Sequence, residues 1–192
     1  MTTRSQWLVV FGVVAVLAAG LTAATIVLGD DLFPIEAGSR APGVTAVSLD
    51  TPPVTRSLAD YAGDVVLLNI WGTWCAPCAW EMPSMERLYR EFADSGLSIV
   101  AVSVDPAGLE QAIRDSVKSW GVTFDVLHDP AKEITRIYRT TGVPETFVIG
   151  RDGIIRRKVY VQDWSSAPNR ALIAQLLREG RPGESSATDP PR

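Results

Sequence analysis

Val65-Val66-Leu67-Leu68-Asn69-Ile70-Trp71-Gly72-Thr73-Trp74-Cys75-Ala76-Pro77-Cys78 is the stretch that decides the fold. Its opening run, Val65 to Trp71, is apolar except for Asn69, as expected of a central strand buried on both faces. The two cysteines that close the stretch are the only ones among 192 residues. A bracing framework spreads its cysteines along the chain, whereas a C-x-x-C directly after a strand is the arrangement of a redox dithiol. If Ala76 onward is helical, residues three apart share a face, so the Cys78 sulfur lies beneath that of Cys75. Cys75 then stands at the helix start, where free N–H groups and the macrodipole favour a thiolate. Pro77 suits a first turn, where its missing donor is not needed.

Three other readings compete. A zinc knuckle wants a second Cys or His pair, but the only histidine is His128, remote in sequence and read as a loop or helix-cap residue. A c-type haem site wants His after the second cysteine, where this chain has Ala79. The third is a short inert disulfide. The strand–motif–helix context favours redox exchange, with no cofactor and no resident metal.

Working outward, the helix is expected over 76–95, with Trp80, Met85, Leu88, Tyr89 and Phe92 inward and a kink at Pro83. Gly96 ends it, and Leu97 to Val104 reads as a second buried strand. Asp105-Pro106 is expected to cap a helix carrying Leu109, Ile113, Val117 and Trp120. A short strand at 124–127 follows, then a helix from Asp129-Pro130 to about Arg139. Thr146–Ile149 and Ile154–Val161 pair through the Arg151-Asp152-Gly153 turn. A last helix over 166–180 turns Leu172, Ile173, Leu176 and Leu177 inward. Upstream, Val44–Leu49 and Val54–Ser57 form a hairpin about Pro52-Pro53, ahead of one helical turn over 57–63. Parallel strands followed by a terminal hairpin make an α/β fold, a mixed central sheet with helices on both faces.

Net charge is −4 with a pI near 5.0, which excludes a general nucleic-acid binder. The Arg156-Arg157-Lys158 cluster is read as guarding a sheet edge. At the N-terminus, Arg4 precedes an uncharged stretch from Trp7 to Leu28, and Asp30 and Asp31 follow. About 22 such residues match roughly 30 Å of hydrocarbon. Residues 1–29 are therefore expected to be a signal-anchor transmembrane helix, with a cytoplasmic N-terminus and an extracytoplasmic domain. A cleaved signal peptide is the rival. The expected divisions are a linker over 30–42, one domain over 43–180 and a disordered tail over 181–192.

The segments Leu68 to Cys78, Glu81-Met82-Pro83 and Thr141-Gly142-Val143-Pro144-Glu145-Thr146-Phe147 resemble the thioredoxin superfamily, specifically its membrane-anchored ResA/TlpA/CcmG (DsbE) branch. The resemblance spans about 41–180 and implies a thioredoxin-like fold with an inserted helix and strand. It also implies a thiol-disulfide oxidoreductase that passes electrons to oxidised protein thiols, apocytochrome c among them, and is resupplied by a CcdA- or DsbD-like transmembrane donor. A general exported disulfide oxidase and a Cu(I)-carrying dithiol are the alternatives.

In that resemblance Cys75 attacks and Cys78 resolves. Cytoplasmic thioredoxins carry an acid where this chain has Asn69, which cannot ionise. Glu81, one turn beyond Cys78, is the candidate replacement as proton acceptor. Pro144 stands where such folds place a cis proline against the dithiol, and the Val143 backbone is expected to pair with a substrate strand. Trp74 is expected to shield the cysteines, and Glu145 is read as a surface contact.

Overall fold

The run from Val65 to Trp71, apolar but for Asn69, forms strand β3 (Val65–Trp71), and each of its residues is buried. A computed structural model describes residues 3–32 and 35–179. β3 runs parallel to β4 (Leu97–Ser103) and antiparallel to β6 (Glu145–Ile149). The sheet is seven-stranded, in the order β2-β1-β5-β4-β3-β6-β7. On one side β5 (Asp125–His128) lies parallel to β4, and the hairpin of β1 (Thr45–Ser48) and β2 (Thr55–Ser57) extends that edge antiparallel. On the other, β7 (Ile155–Val159) closes the terminal hairpin with β6.

Side chains alternate across β3, and the two resulting faces carry separate cores. Val65, Leu67 and Trp71 pack with Cys75, Cys78, Met82, Met85 and Leu88 of the α2 region, Ile113 of α3, and Ile173 and Leu176 of α5. Here α2 is Ala76–Phe92, α3 is Glu110–Trp120 and α5 is Ala167–Arg178. Val66, Leu68 and Ile70 face the other way, against Ile134 of α4 (Glu133–Ile137), Tyr138 and Phe147.

Several expectations are corrected. Trp80 is 63% exposed rather than inward. The buried residues of α2 are Cys78, Glu81, Met82, Ser84, Met85, Glu86 and Leu88, and Trp80 shares the opposite face with exposed Ala76 and Pro77. Asp105 does not cap a helix, since α3 starts at Glu110 with Leu109 before it. The helix expected from Asp129 shortens to α4, bounded by Lys132 (φ 57°) and Arg139 (φ 51°), both left-handed. Part of the expected linker belongs to the domain, because Gly38 N–H donates to Ile155 O, Ile155 N–H to Ser39 O and Ala41 N–H to Gly153 O. These bonds cover the start of the β7 edge that Arg156-Arg157-Lys158 was expected to guard.

The N-terminal segment is a separate unit, ending at Pro34. It is helical over Thr3–Leu32, labelled α1, beyond the expected limit at 29. Among the described residues no helix is long and apolar enough to cross a membrane, so the transmembrane reading rests on sequence alone. The tail expected at 181–192 lies outside the described residues.

Candidate active site

Cys75 and Cys78 are joined by a disulfide with Cα atoms 5.3 Å apart, at the junction of β3 and α2. Cys75 is the N-cap of α2, and its sulfur accepts the Cys78 N–H at 3.2 Å. That N–H, shared with the Cys75 carbonyl at 3.1 Å, points at the sulfur that would carry charge after reduction. Both cysteines are buried, Cys78 more completely than Cys75.

The loop into α2 is held by a residue the sequence reading had assigned elsewhere. β3 and β4 are parallel and in register to Trp71↔Ser103, so the chain leaving β4 emerges beside the chain leaving β3. Asp105 stands there, fully buried, and its carboxylate accepts Thr73 N–H (2.9 Å), Thr73 Oγ1 (2.7 Å) and Ser103 Oγ (2.7 Å). His128, read as a loop or cap residue, ends β5, and its Nε2 donates to the Asp105 carbonyl at 2.8 Å. Trp74, 63% exposed, folds back on Gly72, where an added Cβ would lie 2.7 Å from Trp74 Nε1. Glycine at 72 leaves room for the indole beside the cysteines.

Glu81 lies one turn along α2 from Cys78 on the same buried face, and is 1% exposed. Its Oε1 accepts the indole N–H of Trp164 at 2.5 Å, and its Oε2 has no hydrogen-bond partner among the described residues. Burial pushes the Glu81 carboxyl from its ordinary 4.5 up to about 7, while the Trp164 indole and the Gln162 backbone pull the other way. Asn69 shares its side of β3 with Leu67 and Trp71, hence the helix face that carries the dithiol. Its amide donates to Thr146 Oγ1 at 2.9 Å.

The Val143–Pro144 bond is cis, and Val143 packs against both cores. β6 is registered on β3 through Ile70↔Glu145, so one more step brings Pro144 level with Trp71, at the root of the cysteine loop. Glu145 is not the expected surface residue: it is 0% exposed, with Lys158 Nζ 3.2 Å from Oε1. It faces the Phe147 side of the sheet, away from α2, and Lys158 also sits 5.5 Å from the centre of the Phe147 ring.

The structure thus gathers Trp74, Cys75, Cys78 and Glu81 on one helix end, brings Val143 and Pro144 alongside, and sends Glu145 to the other face. Sequence reasoning missed Asp105 and Trp164. The first was signalled only by the parallel strand ends, and the second, 83 positions from Glu81, by nothing local. Among the described residues no group of three or more His, Cys, Asp or Glu is placed to hold a metal ion.

Comparison with known proteins gives one answer. The AhpC/TSA family model matches residues 37–158. The thiol-disulfide oxidoreductase ResA of Bacillus subtilis is 34% identical over 152 residues, covering 79% of this chain and 80% of that one. ResA of Oceanobacillus iheyensis is 33% identical over 159 residues, covering 81% and 82%. Among solved structures, a Chlorobium tepidum protein assigned as thiol:disulfide interchange protein DsbE superposes with a TM-score of 0.63 at 26% identity, covering 74% of this chain and 96% of that one. The helix-capping disulfide and these relatives lead to one conclusion: the chain belongs to the AhpC/TSA family, as a ResA-type thiol-disulfide oxidoreductase.

Proposed function

We propose that this oxidoreductase acts as a reductant on the outer side of the cytoplasmic membrane, tethered by its N-terminal helix. Its substrates would be disulfides of exported polypeptides, the C-x-x-C disulfide of apocytochrome c before haem attachment being the chosen case. One observation carries the direction of electron flow: a buried carboxylate, Glu81, lies one turn from Cys78, and no cation or histidine stands between the cysteines. An oxidising dithiol gains its strength from a stabilised reduced form. Here the Cys78 N–H aids a Cys75 thiolate, but Ala76 and Pro77 add no charge, and ionised Glu81 opposes it.

The reaction balances in two exchanges. The Cys75 thiolate attacks one substrate sulfur, forming a mixed disulfide and releasing the other substrate sulfur as a thiolate that takes a proton from water. Cys78 then gives its proton to Glu81 and attacks the Cys75 sulfur, so that the Cys75–Cys78 bond forms and the bond to substrate breaks. The departing sulfur takes up a proton, the substrate leaves with two thiols, and the enzyme is left as the disulfide seen here. A transmembrane donor of the CcdA or DsbD kind would return the two electrons. The apolar stretch between Arg4 and Asp30 supports the tether and its orientation.

The test is the reduction potential of the full chain in detergent, equilibrated against thiol buffers. A value nearer the roughly −270 mV of thioredoxin than the roughly −120 mV of DsbA supports a reductant. A value near DsbA would make the chain an oxidase. Reduction of an oxidised C-x-x-C-H peptide tests the substrate class. Stoichiometric Cu(I) uptake without thiol exchange would instead favour a copper carrier.

A further inference from the structure

Trp164 lies in the loop between β7 and α5, fully buried. Its indole nitrogen donates to Glu81 Oε1. Its backbone N–H donates to Ser84 Oγ at 3.0 Å, and Ser84 Oγ in turn donates to the Glu81 carbonyl at 2.7 Å. The rest of the loop is pinned as well. Asp163 accepts Ser165 N–H and Oγ, Asn169 Nδ2 donates to the Asp163 carbonyl at 2.8 Å, and Arg87 of α2 donates to Ser165 Oγ at 3.1 Å. An indole so held has one direction in which to donate, and Glu81 Oε1 occupies it.

We propose that Trp164 is the positioning residue for Glu81, engaging Oε1 permanently so that Oε2, buried and without a hydrogen-bond partner among the described residues, is the oxygen that exchanges a proton with Cys78. This rests on the proton role assigned to Glu81 above. A buried indole N–H requires an acceptor, which it finds whether Glu81 is ionised or protonated. In the carboxylate both oxygens carry charge. In the acid Oε1 is the carbonyl oxygen, still accepting from the indole, and Oε2 carries the proton. The Trp164 bond therefore persists through both protonation states and keeps the carboxyl from rotating, which would turn the committed oxygen towards the dithiol. Because the bond is stronger to the carboxylate than to the acid, it also opposes the upward push of burial and holds the group near neutrality.

The test is the pH profile of disulfide reduction by the full chain, measured for the native sequence, Glu81→Gln, Trp164→Phe and the double variant. Phenylalanine keeps an aromatic ring but removes the donor. Glu81→Gln is expected to abolish the inflection near pH 7. Trp164→Phe should keep the inflection and move it upward by about one pH unit. The double variant should match Glu81→Gln. An inflection retained in Glu81→Gln overturns the role of Glu81 and this inference with it. A flat Glu81→Gln profile beside an unshifted or downward-shifted Trp164→Phe profile overturns the inference alone. Should Trp164→Phe fail to fold, the indole N–H resonance of Trp164 decides. It should titrate with a midpoint near 7 in the native chain and not in Glu81→Gln, and a pH-independent resonance in the native chain overturns the proposal.

Discussion

At the residue scale the two cysteines have unequal tasks because they have unequal surroundings. Cys75 caps the helix and receives a backbone donor, and Cys78 sits beneath it, fully buried. Cys78→Ser is expected to accumulate a mixed disulfide between Cys75 and substrate, visible by mass spectrometry, and Cys75→Ser to yield none. The reverse pattern would exchange their roles. Glu81 leaves a thermodynamic trace as well. Its folded pKa, about 7, lies above its ordinary 4.5, so the folded chain keeps a proton that the unfolded chain releases. The corresponding stability is complete below about pH 4.5 and is lost as pH rises through 7, to a total of about 3 kcal/mol. Glu81→Gln lacks that loss and should gain on the native chain between pH 5 and pH 8 in denaturant titrations. Parallel stability curves for the two proteins would rule out the shifted carboxyl.

At the element scale, parallel β3 and β4 end together and the loops beyond them are tied by Asp105. Asp105→Ala removes the acceptor of three donors around Thr73 and should cost about 3 kcal/mol. Faster amide exchange at Thr73 to Cys75 should accompany it. A loss below about 0.5 kcal/mol with unchanged exchange would show that the tie is not needed. The β6–β7 pair holds a second buried charge. Lys158→Met leaves Glu145 uncompensated in the core and should cost about 3 kcal/mol, most of it recovered when Glu145→Gln is added. Additive losses would argue against coupling. Trp80, exposed on the outer face of α2, belongs to neither network, and Trp80→Gln should change stability by less than about 0.5 kcal/mol.

At the scale of the whole molecule, the chain divides after Pro34 into an N-terminal helix and the domain that holds the dithiol. Removing residues 1–34 is therefore expected to leave the potential of the Cys75–Cys78 couple unchanged and to move the protein from the membrane fraction to the soluble one. A truncated chain that still sediments with membranes would contradict the proposed tether. What the sequence by itself determined is what local patterning encodes. The buried strand was legible in the apolar run of 65–71, the helical turn in the C-x-x-C spacing, and the terminal hairpin in Arg151-Asp152-Gly153. The cysteines were legible in their spacing and Glu81 in its place one helical turn beyond Cys78, whereas the cis bond at Pro144 was implied only by the family resemblance. Only the tertiary structure decided that Asp105 locks the loop rather than capping a helix, that Glu145 is buried beside Lys158, and that Trp164 meets Glu81. Each of these contacts joins different elements, and those made by Asp105 and Trp164 join segments distant in sequence. Burial then sets their energies, since a carboxylate removed from water takes whatever donor or cation the packing of the chain brings to it.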